Sequence, residues 1–235
     1  KYSIETLNTN FIGTMNVLKL ALKTGSKVLF TSSSEVYGDS LVHPQPETYY
    51  GNVNPMGERS CYDEGKRIGE TLMYEYRKKH GMDTKVVRIF NTYGPYMDLN
   101  DGRLIPNFIK NIIENKPLII YGDGNQTRSF CYCTDIINGI RAMMRSNESG
   151  PINLGNPDCE VTLNDLVKIY ESHLDIKLQI ENIEETMNRP KQRKPNINVA
   201  KEKLKWDPWV SLKWGLLETL NHYGLAIKEE EKDKS

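Results

Sequence analysis

Cysteine and histidine are both scarce in this 235-residue chain, with four of each. Cys61, Cys131, Cys133 and Cys159 form no C-x-x-C pair, and the four His are scattered, so no zinc site and no other metal site is expected. Four cysteines at this length make no disulfide scaffold; reduced, mostly buried thiols and a reducing compartment are expected. Net charge is also missing, because 31 Lys+Arg balance 31 Asp+Glu. That argues against bulk binding to nucleic acid or to an anionic membrane and leaves room only for a local basic patch. No apolar run approaches the ~20 residues of a membrane span, and the opening KYSIETLN carries no signal-peptide pattern. There is no internal repeat and no low-complexity segment. Neither G-x-G-x-x-G nor G-x-x-G-x-x-G occurs, so the usual dinucleotide-phosphate turn is absent from this sequence.

What is present is globular in composition: 38% hydrophobic and 26% charged residues, with 13 Tyr. This suffices for one large domain or two small ones. Apolar spacing predicts a helix over Ile4–Leu22, stopped by Gly25, then a short strand at Lys27–Phe30 that runs into a Thr-Ser-Ser-Ser loop. The order repeats with a helix over Tyr62–His80, Gly81, and a strand over Lys85–Phe90. Alternating α and β predicts a doubly wound, Rossmann-like parallel sheet with its site at the carboxyl ends of the strands. Beyond residue 95 the pattern changes. Helices are predicted over Leu104–Ile113, Asp135–Met144, Leu163–His173, Val199–Leu204 and Leu212–Tyr223. Short strands are predicted over Leu118–Tyr121, Ser129–Tyr132, Pro151–Leu154 and Leu178–Ile183. A smaller C-terminal α+β region is therefore expected, then a charged tail over 226–235.

Tyr62 and Lys66 stand four apart, on one face of a predicted helix. An ammonium beside a phenol favours the phenolate and makes it a usable base. With 13 Tyr in the chain, Y-x-x-x-K alone arises readily by chance. Its context adds weight. Upstream is Ser32-Ser33-Ser34-Glu35-Val36-Tyr37-Gly38, and downstream is Arg88-Ile89-Phe90-Asn91-Thr92-Tyr93-Gly94-Pro95. Both run from a strand end into the cleft of an α/β sheet.

On SSSEVYGD, HPQPETYYGNVNP, CYDEGKR, RIFNTYGPYM, NDGR, YGDGNQTRSFCY, NLGNP and RKP, the chain resembles the extended short-chain dehydrogenase/reductases acting on nucleotide sugars. Within them it is most similar to the UDP-glucuronate decarboxylases. The resemblance runs from Thr9 to about Tyr223. It implies NAD as cofactor and UDP-glucuronate as substrate, with residues 1–95 as part of an NAD-binding domain and 96–225 as mainly the nucleotide-sugar region. It also implies that roughly 60–90 residues bearing the Gly-rich turn precede this segment, at ~30 residues per βα unit. Members pair through the helices expected at Ile4–Leu22 and Tyr62–His80, so a homodimer is expected. The segment itself points to a cytoplasmic setting; an upstream anchor would place it in the Golgi lumen.

The resemblance assigns roles residue by residue. Tyr62 is the base at the sugar C4 hydroxyl, with Lys66 lowering its pKa and holding the nicotinamide ribose. Ser33 stands where Thr is usual and contacts the C4 oxygen. Ser34 and Glu35 lie near C5 and C6, and Arg193 pairs the substrate carboxylate or stays in a solvated basic run. Thr9 and Thr92 flank the cofactor. Tyr37, Asn91, Arg103, Tyr121, Gln126 and Arg128 are on the nucleotide-sugar side; Arg suits bidentate phosphate contacts. Sugar 4,6-dehydratases carry Asp-Glu where this chain has Ser34-Glu35. A hydroxyl cannot replace the acid that expels water, so dehydration is disfavoured. The open alternatives are a 4-epimerase, a UDP-apiose-type synthase, or a non-catalytic remnant that binds UDP-sugar without NAD.

Overall fold

The computed structural model describes residues 2–184 and 192–225; the expected charged tail lies outside them. The first expected helix is found in three pieces: α1 (Ser3–Asn8), a π turn (Thr9–Gly13) and α2 (Thr14–Thr24). Within the π turn, Asn10 Nδ2 donates to the Thr6 carbonyl at 2.9 Å, competing with the backbone ladder for that acceptor. Next come β1 (Val28–Ser33), a 3-10 turn (Ser34–Tyr37), α3 (Ser60–His80) and β2 (Thr84–Ile89). Gly25 (φ 66°) and Gly81 (φ 67°) end α2 and α3 left-handed, which side chains resist.

The second half contains β3 (Thr92–Tyr93), α4 (Leu104–Ile113), β4 (Leu118–Tyr121), β5 (Thr127–Ser129), β6 (Cys131–Tyr132) and α5 (Cys133–Arg145). After these follow β7 (Ile152–Leu154), β8 (Glu160–Thr162), α6 (Leu163–Leu174), β9 (Ile180–Ile183), a π turn (Ala200–Leu204) and α7 (Leu212–His222). The single strand expected at Ser129–Tyr132 is divided at buried Phe130. One half pairs antiparallel with β8 and the other parallel with β3.

The main sheet is parallel, in the order β1-β2-β7. Successive residues of β2 point to opposite faces. Val86 packs with Leu18 and Met73 of α2 and α3; Val87 packs with Ile136 of α5, Leu154 and Trp206. Helices thus cover both faces, as doubly wound topology requires. Lys85 interrupts the apolar run and is fully buried, its Nζ donating to the Ser146 and Glu148 carbonyls at 2.8 and 2.9 Å. A third core, around Phe108, Leu166, Tyr170 and Leu216, joins α4, α6 and α7. Trp206 is buried; Trp209 and Trp214 are partly exposed, with the Trp214 ring of α7 edge-on to Tyr132 and beside Trp209.

Gly65, Gly69 and Met73, spaced four apart, lie on the buried face of α3, where Gly69 lets the helix approach Phe30 of β1 and Gly65 lets it approach Asn10 of the π turn. A Cβ on Gly69 would stand 2.8 and 2.9 Å from two ring carbons of Phe30. Gly69→Ala is therefore expected to lower stability by about 1–3 kcal/mol by overpacking, against the ~0.5–1 kcal/mol that Ala usually adds to a helix. Urea unfolding of the two proteins measures it. A gain in stability would show that Phe30 moves freely.

Candidate active site

The carboxyl end of β1 turns sharply at Ser33, whose Oγ accepts from the Glu35 amide at 3.2 Å and caps the 3-10 turn. Behind this turn a buried polar network fixes its position. Ser32 Oγ donates to Glu70 at 2.6 Å. Arg88 from β2 grips the two oxygens of Glu70 at 2.9 and 2.8 Å. Arg88 also donates to the Tyr37 hydroxyl at 3.0 Å, and that hydroxyl donates to Asn153 at 2.7 Å. β1, β2, β7 and α3 are thereby tied to the Ser-Ser-Glu turn. Paired charges of this kind hold geometry when each is fully hydrogen-bonded.

In front of the turn opens a cleft of about 1340 Å³. Ser33, Ser34, Glu35, Tyr62, Lys66, Asn91, Thr92, Arg103, Tyr121, Gln126 and Arg128 all line it. Tyr62 is 36% exposed. Lys66 Nζ lies 5.6 Å from the Tyr62 ring centre and 5.1 Å from that of Phe30, and donates to the Thr31 carbonyl at 3.1 Å. Burial lowers the Lys66 pKa, because the charged ammonium is desolvated. At the far end, Gln126 Nε2 donates to the Tyr121 carbonyl at 2.6 Å, and Arg103 Nε donates to Asp101 at 2.5 Å. Asn91 Nδ2 donates to the Ser129 carbonyl at 3.5 Å, while Thr92 Oγ1 donates to that of Phe90 at 3.0 Å.

Three expected site residues are placed elsewhere. Tyr37 is 1% exposed and committed to Arg88 and Asn153, with burial pushing its phenol up to about 12. It braces the turn and is not among the residues that line the cleft. Thr9 is exposed on the π turn and is not among the lining residues. Arg193 is 5% exposed and lies behind the lining, where its Nη1 donates to Glu35 Oε1.

Arg59 and Asp63 were missed by sequence reasoning. Arg59 lines the cleft, and its Nη2 stands 3.2 Å from Glu35. A cation at the N-cap of α3 opposes the helix dipole; that mismatch, three residues before Tyr62, was the available signal. Burial alone would raise the Glu35 pKa, but Arg193 and Arg59 outweigh it and hold the carboxyl below its usual range. Asp63 is buried beside them and pushed up to about 6, first by burial and then by Glu35. No signal in the sequence marks Asp63. Among the described residues no cluster of three or more His, Cys, Asp or Glu is placed to hold a metal. None of their helices is long and apolar enough to cross a membrane.

The chain is 50% identical over 217 residues to UDP-glucuronic acid decarboxylase 3 of Arabidopsis thaliana, covering 92% of this chain and 63% of the relative. It thus spans less than two thirds of that relative's length. A solved UDP-glucuronic acid 4-epimerase of Bacillus cereus, in complex with UDP-glucuronic acid and NAD, superposes with a TM-score of 0.84 at 27% identity. That match covers 93% of this chain and 68% of the epimerase. A UDP-glucose 4-epimerase of Thermotoga maritima with UDP-glucose superposes at 0.88, with 25% identity, over 94% and 71% of the two chains. The parallel sheet, the Tyr62–Lys66 pair at its carboxyl edge and a family model matched over residues 1–155 agree: the chain belongs to the NAD dependent epimerase/dehydratase family.

Proposed function

We propose that this chain carries the catalytic and nucleotide-sugar part of an NAD-dependent enzyme that converts UDP-glucuronate to UDP-xylose through a 4-keto intermediate. The observation that carries the reading is Glu35, held between two guanidiniums next to Tyr62 and Lys66 in one cleft. Charged groups at that end suit a sugar that is itself acidic at C6. The relative named a UDP-glucuronic acid decarboxylase supports the same reading.

The residues present fit the nicotinamide end of the cofactor. Lys66 is a half-buried ammonium anchored at the strand end, beside a phenol in an open cleft. The adenosine and pyrophosphate have no Gly-rich turn in this sequence. When bound, NAD supplies the oxidation of C4 and its later reversal. In the proposed division of work, Tyr62 takes the C4 hydroxyl proton, Lys66 favours the phenolate, and Ser33 donates to the C4 oxygen. With a ketone at C4, the C5–C6 bond breaks, CO₂ leaves, and its electron pair enters an enolate ending on the C4 oxygen. C5 then takes one proton. Glu35 and Arg193 serve this carboxylate end, while Arg103, Gln126 and Arg128 serve the diphosphate and Tyr121 the uridine. Ser34 in place of an acid works against loss of water. A homodimer through α1–α2 and α3 is part of the proposal.

The test follows CO₂ and UDP-xylose from UDP-glucuronate in a full-length enzyme containing this chain. Interconversion of UDP-glucose and UDP-galactose instead would establish the epimerase reading. The 235-residue chain alone is expected to bind NAD no tighter than about 1 mM by calorimetry, because the pyrophosphate has no helix N-terminus to rest on. Micromolar NAD affinity would contradict that account.

A further inference from the structure

We propose that Asp63 takes up a proton when the carboxylate of an acidic sugar enters the Glu35 end of the cleft, an inference that rests on the uronate reading above. Asp63 follows Tyr62 on the first turn of α3 and is 8% exposed. Its Oδ1 is buried and accepts no hydrogen bond from any described residue. The charged groups acting on it are Glu35 from the turn after β1, Arg59 from the turn before α3, Arg193 from the segment after β9, and Glu64 of its own helix. The bound sugar would add a third carboxylate beside Glu35 and Asp63; Arg193 and Arg59 act on both of these acids, whereas Arg128, across the cleft, acts on Glu35.

The three carboxylates are not equally supported. Glu35 accepts directly from Arg193 and has Arg59 at 3.2 Å. The Arg193 side chain is only 7% exposed, so an incoming anion cannot recruit it. The Arg59 side chain is 54% exposed and faces the cleft, so it is the cation an incoming anion can share. Sharing it weakens the field that Arg59 exerts on the buried acids, and the anion adds its own repulsion. Asp63, whose buried Oδ1 has no donor, gives up its charge first, since an unsatisfied buried carboxylate oxygen is costly. Asp63 already sits at about 6, so a further rise brings protonation into the neutral range. The sign follows by linkage. An anion that raises the Asp63 pKa binds with proton uptake, and its affinity falls as pH rises above 6, by at most about tenfold per unit.

Calorimetry at pH 7, in phosphate and in Tris, counts the protons taken up by a full-length enzyme containing this chain, with Tyr62→Phe added so that the sugar binds without turning over. With UDP-glucuronate the expected uptake is a fraction of a proton, up to about one; with UDP-glucose it is near zero. Asp63→Asn should remove the uptake, and with it the fall in uronate affinity above pH 6. Uptake that persists in Asp63→Asn, or that is equal for the two sugars, overturns the inference. A chain that does not prefer the uronate sinks the functional reading itself. Carboxyl ¹³C titration then judges Asp63 without any sugar. A midpoint near 6 in the ligand-free chain agrees with the inference, and one in the ordinary aspartate range overturns it whichever sugar binds.

Discussion

Replacing Tyr62 with Phe in a full-length enzyme is expected to lower turnover by about 10²- to 10⁴-fold, the usual cost of losing a general base. UDP binding should stay nearly unchanged. The phenol oxygen is the only atom removed, and it lies at the end of the cleft where Lys66 is anchored to Thr31. Of the groups proposed for the diphosphate, Arg103 stands at the start of α4, and Gln126 and Arg128 come from the loop and strand after β4. Turnover is read from CO₂ release and UDP-xylose formation, and binding from calorimetry with UDP. Comparable turnover in Tyr62→Phe would remove Tyr62 from the base role and leave Y-x-x-x-K as a chance spacing.

The second large effect concerns Glu35 and Arg193. Glu35→Gln is expected to let NADH appear in single-turnover mixing with UDP-glucuronate while slowing CO₂ release. The proposed division puts Glu35 at the carboxylate end and Tyr62 at C4. Equal loss of both signals would assign Glu35 to C4 instead. Arg193→Ala should weaken uronate capture much more than capture of UDP, and the structure gives the route. Arg193 is buried against Glu35, so it acts by holding that carboxylate, and its removal leaves Glu35 only half-neutralised. Breaking a buried pair in this way costs about 3–5 kcal/mol of stability, measurable by urea unfolding. The pH dependence has a definite sign. The Glu35 pKa is depressed in the fold. Its ion pair therefore stabilises fully above the ordinary carboxylate range, and that contribution is lost as pH falls through the lowered value. Glu35→Gln removes this acid-side loss.

Much of this site was legible in the sequence because it is local. Tyr62 and Lys66 share a face through helical spacing alone. The serines ending β1 reach a cleft because a parallel strand must end there. Gly25 and Gly81 mark helix ends for conformational reasons that need no tertiary context. The sequence by itself thus determined the alternation of elements, the family resemblance and eleven of the residues lining the cleft.

Tertiary structure alone decided which charges meet. Arg193 lies 158 residues from Glu35, and no periodicity links them. As part of a basic run Arg193 would be solvated, and as part of the family-like RKP it would pair a substrate carboxylate; folded, it is buried and paired with Glu35. The family resemblance put Tyr37 on the nucleotide-sugar side, whereas the 3-10 turn carries it inward to Arg88 and Asn153. Asp63 is one polar residue on a charged helix until Glu35, Arg59 and Arg193 close over it. Spacing along a chain determines which face a side chain occupies. Burial and long-range partners determine whether its charge is available, and those depend on chain segments that meet only when folded.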